Sequence, residues 1–208
     1  MNDLQKLLLS EVISSPSFRR LAEGLAGAKA GRVASMKGLR GSSLGAITAA
    51  LASGLPGEAS QSFPAAPLIL LVTGNYERAG ELYDDLLFFG VQRVFHYPKS
   101  QVLPYDEDEP LLEEQVKHLE FLHYLAERRN APAGPSAVCV VPVEALFTRV
   151  APLEVLRRLT LRVTWGEPLN PEKFASRAAS LGYQRVPTVE ARGEFAVRGG
   201  ILDIFPLD

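Results

Sequence analysis

Apolar residues recur along this chain in two rhythms. Leu4, Leu7, Leu8, Val12 and Ile13 fall on one helical stripe, and after Ser15-Pro16 a second stripe carries Phe18, Leu21 and Leu25. From Gly31 the pattern predicts a strand, then a glycine-bearing turn over Gly38–Gly45, then a small-residue helix over Ala46–Ala52. Leu55 to Pro67 is rich in turn formers and reads as a surface loop. Leu68–Thr73 and Ala137–Pro142 are short unbroken apolar runs, as in strands buried on both faces of a parallel sheet. Between them the spacing predicts a helix over Glu77–Phe89 ended by Gly90, a strand over Val91–Tyr97, an acidic proline-bounded loop over Leu103–Pro110, and a helix over Leu111–Arg129. Strands alternating with helices of this length predict an α/β fold with a doubly wound, mostly parallel sheet, because parallel neighbours need such crossovers.

Around Pro152 the rhythm changes. Leu161–Trp165 alternates as a strand would, Pro171–Leu181 reads as a short helix stopped by Gly182, and Tyr183–Val189 reads as another strand. Two β-forming runs then flank Gly199-Gly200, the signature of a tight hairpin. The expected division is an α/β domain over 1–152 and a smaller α+β domain over 153–208. In the hairpin, a two-residue turn pairs Arg198 with Ile201, Val197 with Leu202, Ala196 with Asp203, Phe195 with Ile204 and Glu194 with Phe205. One face of this ribbon is then apolar, with Phe195, Val197, Leu202 and Ile204. The other mixes Glu194, Arg198 and Asp203 with Ile201 and Phe205. Spacing alone leaves open whether that second face is merely solvated or binds a partner through arginine and aromatic anchors. The chain stops at Asp208, two residues past the hairpin, as expected of a fragment.

Charge refines this picture. The net charge of −2 gives no general affinity for nucleic acid, but it is unevenly spread. Gln101–Glu127 holds eight carboxylates against Lys117, whereas Arg157–Arg198 holds eight bases against four acids. Cys139 is the only cysteine, which excludes an intrachain disulfide and a cysteine metal cluster. No apolar run reaches bilayer length and the start lacks a signal-peptide pattern, so no membrane association and a cytoplasmic location are expected.

Catalytic chemistry is sparse. Gly38-Leu-Arg-Gly-Ser-Ser-Leu-Gly45 stands where a phosphate-binding loop would open a helix, but such a loop needs a glycine, a lysine for the β/γ-phosphates and a hydroxyl for Mg²⁺. Those three positions hold Ser43, Leu44 and Gly45. Gly38 and Gly41 therefore belong to a degenerate loop, and no cofactor or metal site is expected. Asp106, Glu107, Asp108 and Glu109 are adjacent in an extended stretch and point alternately apart, unlike the converging ligands of a hard cation. His96, His118 and His123 are scattered, and no nucleophile with a matching base emerges. The basic end lacks the interleaved aromatics of a nucleic-acid stacking platform.

The stretch Arg192-Gly-Glu-Phe-Ala-Val-Arg-Gly-Gly-Ile-Leu-Asp-Ile-Phe-Pro206 resembles the motif shared by the bacterial UvrB proteins and the transcription-repair coupling factors (the Mfd family). Leu103–Pro110 and Val141–Arg149 are similar to further coupling-factor segments. UvrB carries an intact phosphate loop and an aromatic-rich DNA-clamping hairpin. Gly38–Gly45 is degenerate and Gln101–Pro110 has no tyrosine-rich insert, so the resemblance favours the UvrB-like N-terminal module of the coupling factors. It implies a degenerate P-loop NTPase-like domain followed by a UvrB-interaction-type domain. It also implies a non-catalytic module that recruits UvrA in transcription-coupled nucleotide-excision repair, needing no cofactor of its own. RNA polymerase binding, DNA and ATP-driven translocation would belong to downstream parts of the family. By position in the motif, Arg198, Arg185, Phe205 and Arg192 are the implied partner-binding residues. The alternative is a divergent UvrB-type ATP-dependent DNA-binding enzyme, and direct DNA binding by the basic end is a third course.

Overall fold

The computed structural model describes residues 2–25, 34–53, 68–99, 112–130 and 136–206. Two compact units divide it, Met1–Arg149 and Val150–Asp208.

The first unit begins with α1 (Asp3–Ser14), whose start is fixed by a reciprocal cap: the Asn2 side chain accepts from the Gln5 amide at 2.9 Å, and Gln5 Oε1 accepts from the Asn2 amide at 2.6 Å. Helices α2 (Pro16–Leu25) and α3 (Ser43–Ser53) follow. Then come β1 (Leu68–Thr73), α4 (Tyr76–Phe88, capped by the Asn75 side chain), β2 (Val94–His96), α5 (Leu112–Asn130), β3 (Ala137–Pro142) and a 3-10 turn over Val143–Phe147. The sheet is parallel in the order β1-β3-β2, and β3 is its buried centre.

Alternation along β3 builds two cores. Val138 and Val140 face Leu9, Phe18, Ala46, Ala49, Ala50, Leu82 and Leu86 from the first four helices. Ala137, Cys139 and Val141 face Tyr97, Phe121 and Tyr124, which places α5 on the opposite side of the sheet. Each fully buried leucine in such a layer contributes about 1.5–3 kcal/mol. The alanines of α3 let it approach α4 closely, with Gly45 against Asp85. The strand expected ahead of Gly38 does not form over residues 34–40. Leu55–Pro67 and Leu103–Pro110 lie outside the described residues.

The second unit contains α6 (Leu153–Leu159), α7 (Pro171–Ser180) and a sheet ordered β4-β5-β6 from Gln184–Arg185, Glu194–Arg198 and Ile201–Ile204. The expected strand at Leu161–Trp165 is absent: only Leu161 packs inward, Val163 and Trp165 are exposed, and no strand among the described residues pairs with the segment. Helix α6 precedes it instead. Tyr183–Val189 shortens to two strand residues, Gln184–Arg185.

Candidate protein-interaction face

The hairpin takes the register that its sequence predicts, with Phe195 opposite Ile204, Ala196 opposite Asp203, Val197 opposite Leu202 and Arg198 opposite Ile201. Gly199 turns the chain at φ 58°, in the left-handed region that glycine enters without steric cost. Beyond the strand ends, Phe205 donates its amide to the Glu194 carbonyl and Gly193 donates to the Phe205 carbonyl, each at 2.9 Å, so the pairing extends to Phe205. On its other edge β5 holds β4 in parallel: Gln184 donates to the Gly193 carbonyl at 2.8 Å and Val186 to the Phe195 carbonyl at 2.9 Å. β5 is therefore pinned from both sides.

The inner face packs on α7. Phe195 buries against Phe174 and Ala178, with Val197, Leu202 and Ile204 around them. That anchoring determines what the outer face shows. Ile201 is 64% exposed and Phe205 41% exposed. Arg198 donates from Nη2 to Asp203 Oδ2 at 2.6 Å, and the Arg192 guanidinium lies 6.0 Å from the centre of the Phe205 ring. Glu194 turns back on its own loop: its carboxylate accepts the amides of Glu190 and Ala191, both at 2.8 Å. Those two backbone donors hold it below the usual carboxylate range. The face thus joins two cations, one carboxylate paired to a cation, and two exposed apolar side chains.

The structure sets Arg192 against Phe205 and puts Arg198 on the same outer face, at the turn end of the hairpin. It does not bring Arg185 to them, because Arg185 pairs with Phe195 and shares the α7 side of the sheet. Asp203 and Ile201 lie on this face as the sequence register expected, although the motif did not mark them as partner-binding residues. The register sets Asp203 diagonally across the ribbon from Arg198, and the rotamers of the two side chains bring them into contact.

The glycine loop has a different geometry. Gly38 and Gly41 adopt φ 82° and 51°. Arg78 donates to the Gly41 carbonyl at 3.1 Å and pairs with Glu81 at 2.5 Å, while the Ser43 hydroxyl donates to the Arg40 carbonyl at 2.6 Å. A methyl on Gly45 would meet Asp85 Cβ at 2.6 Å and a carboxylate oxygen at 3.2 Å, so Asp85 packs closely against the side of the first turn of α3.

His96 stacks on Tyr76 and Tyr83 with ring centres at 5.2 and 5.5 Å. Burial, with Lys117 nearby, pushes its pKa down. His118 approaches the Pro98 carbonyl at 3.0 Å and His123 approaches Glu127 at 3.4 Å, each apart from the others. Among the described residues no group of three or more His, Cys, Asp or Glu side chains gathers to hold a metal ion, and the acidic run 106–109 lies outside them. Among the same residues no helix is long and apolar enough to cross a membrane.

The UvrB interaction domain family matches residues 161–208, which include the whole hairpin. Over 184 residues, 85% of this chain, the sequence is 35% identical to the transcription-repair-coupling factor of Myxococcus xanthus. It is 31% identical over 173 residues, 83% of the chain, to that of Bacillus subtilis. It is 32% identical over 145 residues, 67% of the chain, to that of Staphylococcus aureus. The chain is a relative of the transcription-repair-coupling factors and carries a UvrB interaction domain. It spans 14% of the length of the M. xanthus coupling factor and 13% of the B. subtilis one. Arg185, Arg192, Arg198, Asp203 and Phe205 all fall within the UvrB interaction domain, and the Gly38–Gly45 loop falls outside it.

Proposed function

We propose that this chain is a non-catalytic docking module of a coupling factor that recruits UvrA in transcription-coupled nucleotide-excision repair. The observation that carries it is the outer face of the hairpin within the UvrB interaction domain, where a three-stranded sheet presents Arg198, Ile201 and Phe205 and the turn before β5 sets Arg192 against Phe205. Arginine and aromatic side chains flanked by apolar surface are the residue types that dominate protein interfaces. The first unit is a doubly wound, degenerate P-loop-like domain in this proposal, and Ser43, Leu44 and Gly45 in place of the glycine, lysine and hydroxyl of a working loop support the loss of nucleotide binding there. ATP use, RNA polymerase contact and DNA translocation belong to other parts of the longer proteins, and the setting is the cytoplasm.

The test is titration of UvrA against the chain. Arg198→Glu removes a charge-assisted donor and adds repulsion, and should weaken binding by roughly 2 kcal/mol or more, about thirtyfold, with no change on adding ATP. Unaltered affinity in a folded Arg198→Glu variant, or saturable ATP binding by the chain, overturns the proposal.

A further inference from the structure

Resting on that docking role, we propose that Asp203 is a positioning residue that holds Arg198 in its binding geometry before the partner arrives. The pair joins Arg198 Nη2 to Asp203 Oδ2 at 2.6 Å, with side chains 61% and 41% exposed. Arg198 stands opposite Ile201 and Asp203 stands opposite Ala196, so the guanidinium is drawn diagonally across the ribbon. Ala196 is almost fully buried there and its single methyl leaves room for that reach. The contact uses one of the five N–H donors of the guanidinium, leaving the others for a second carboxylate. With Ile201 and Phe205 exposed on the same face, the held arginine fits a partner surface that sets a carboxylate beside apolar side chains.

Two effects of Asp203 oppose each other. Its charge reduces the attraction of the face for an acidic partner, while its grip spares the partner the entropy of ordering a long side chain. Charges this exposed are strongly screened at physiological salt, whereas ordering entropy is not. Positioning therefore dominates. Asp203→Ala should weaken UvrA binding by about three- to tenfold, the cost of ordering one rotamer-rich side chain. Asp203→Asn, which keeps an acceptor oxygen, should lose less.

The experiment measures UvrA binding to the full chain by surface plasmon resonance, with Asp203→Ala, Asp203→Asn, and Asp203→Ala in an Arg198→Ala background. The expected loss appears as faster dissociation and vanishes in the Arg198→Ala background. Guanidinium NMR relaxation on the free chain gives a readout independent of UvrA: Arg198 should be ordered in the wild type and mobile in Asp203→Ala. Equal or tighter binding by both single variants, or a loss that persists without Arg198, overturns the inference and leaves the docking role intact. Equal mobility of Arg198 in wild type and Asp203→Ala also overturns it. Absence of UvrA binding by the wild type removes the docking role itself, and the inference with it.

Discussion

Glu194 sits at the entrance to the central strand of the second unit and faces outward, yet it is committed to its own loop. Its carboxylate accepts two backbone amides, and this holds its pKa below the ordinary range. The sign of the stability effect follows: with the folded value lower than the unfolded one, the unfolded state takes up more protons as pH falls. The contribution is fully present at neutral pH and drains away as pH drops through the usual carboxylate range and below it. Glu194→Gln keeps an acceptor but loses the charge, so it should be less stable than wild type near pH 7, with the gap closing in acid. Denaturation midpoints for both proteins across that range check it; a gap that stays constant with pH would show that the amide bonds do not depend on the charge.

At the element scale, Gly45 separates two opposed effects of the same substitution. Glycine to alanine within a helix ordinarily gains up to about 1 kcal/mol. At Gly45, however, the added methyl would stand 2.6 Å from Asp85 Cβ, an atom fixed to the backbone of α4, and overpacking of that kind costs roughly 1–3 kcal/mol. Gly45→Ala should therefore lower the unfolding midpoint, while Gly80→Ala in α4, with nothing within 4 Å, should raise it. A stabilised Gly45→Ala would mean that α3 and α4 are not packed as described. Part of this architecture was legible in the sequence. The unbroken apolar run of β3 and the turn at Gly199-Gly200 each specify a local geometry, and both appear as expected. The alternation of Leu161, Val163 and Trp165 specified only which way side chains would point if a strand formed, and among the described residues no strand pairs with it. The contact between Gly45 and Asp85 joins residues far apart in sequence, and the face of Arg185 depends on a two-residue strand. Neither is encoded in local pattern. The outer face was legible for the same reason as the hairpin register, and its internal pairing was not, because a diagonal contact depends on rotamers.

Over the whole molecule, the two units treat chemically able side chains in opposite ways. The second unit displays arginines and apolar anchors on its sheet, whereas the first covers both faces of β3 and buries Cys139 completely there; β1, expected to be buried on both faces, is instead an edge strand that leaves Leu70 and Val72 half exposed. Burial pushes the Cys139 thiol up to about 12, so the thiolate that reacts with disulfide reagents is scarce as well as inaccessible. The native chain should thus leave Cys139 unmodified by a thiol reagent such as DTNB at pH 8, and release the full signal of one thiol after denaturation. Because Cys139 is the only cysteine, the labelling rate through a denaturant series should follow the opening of the first unit alone. Rapid labelling without denaturant would show that β3 is not covered on both faces, and would withdraw the layered core on which the position of α3 and its glycine loop depends.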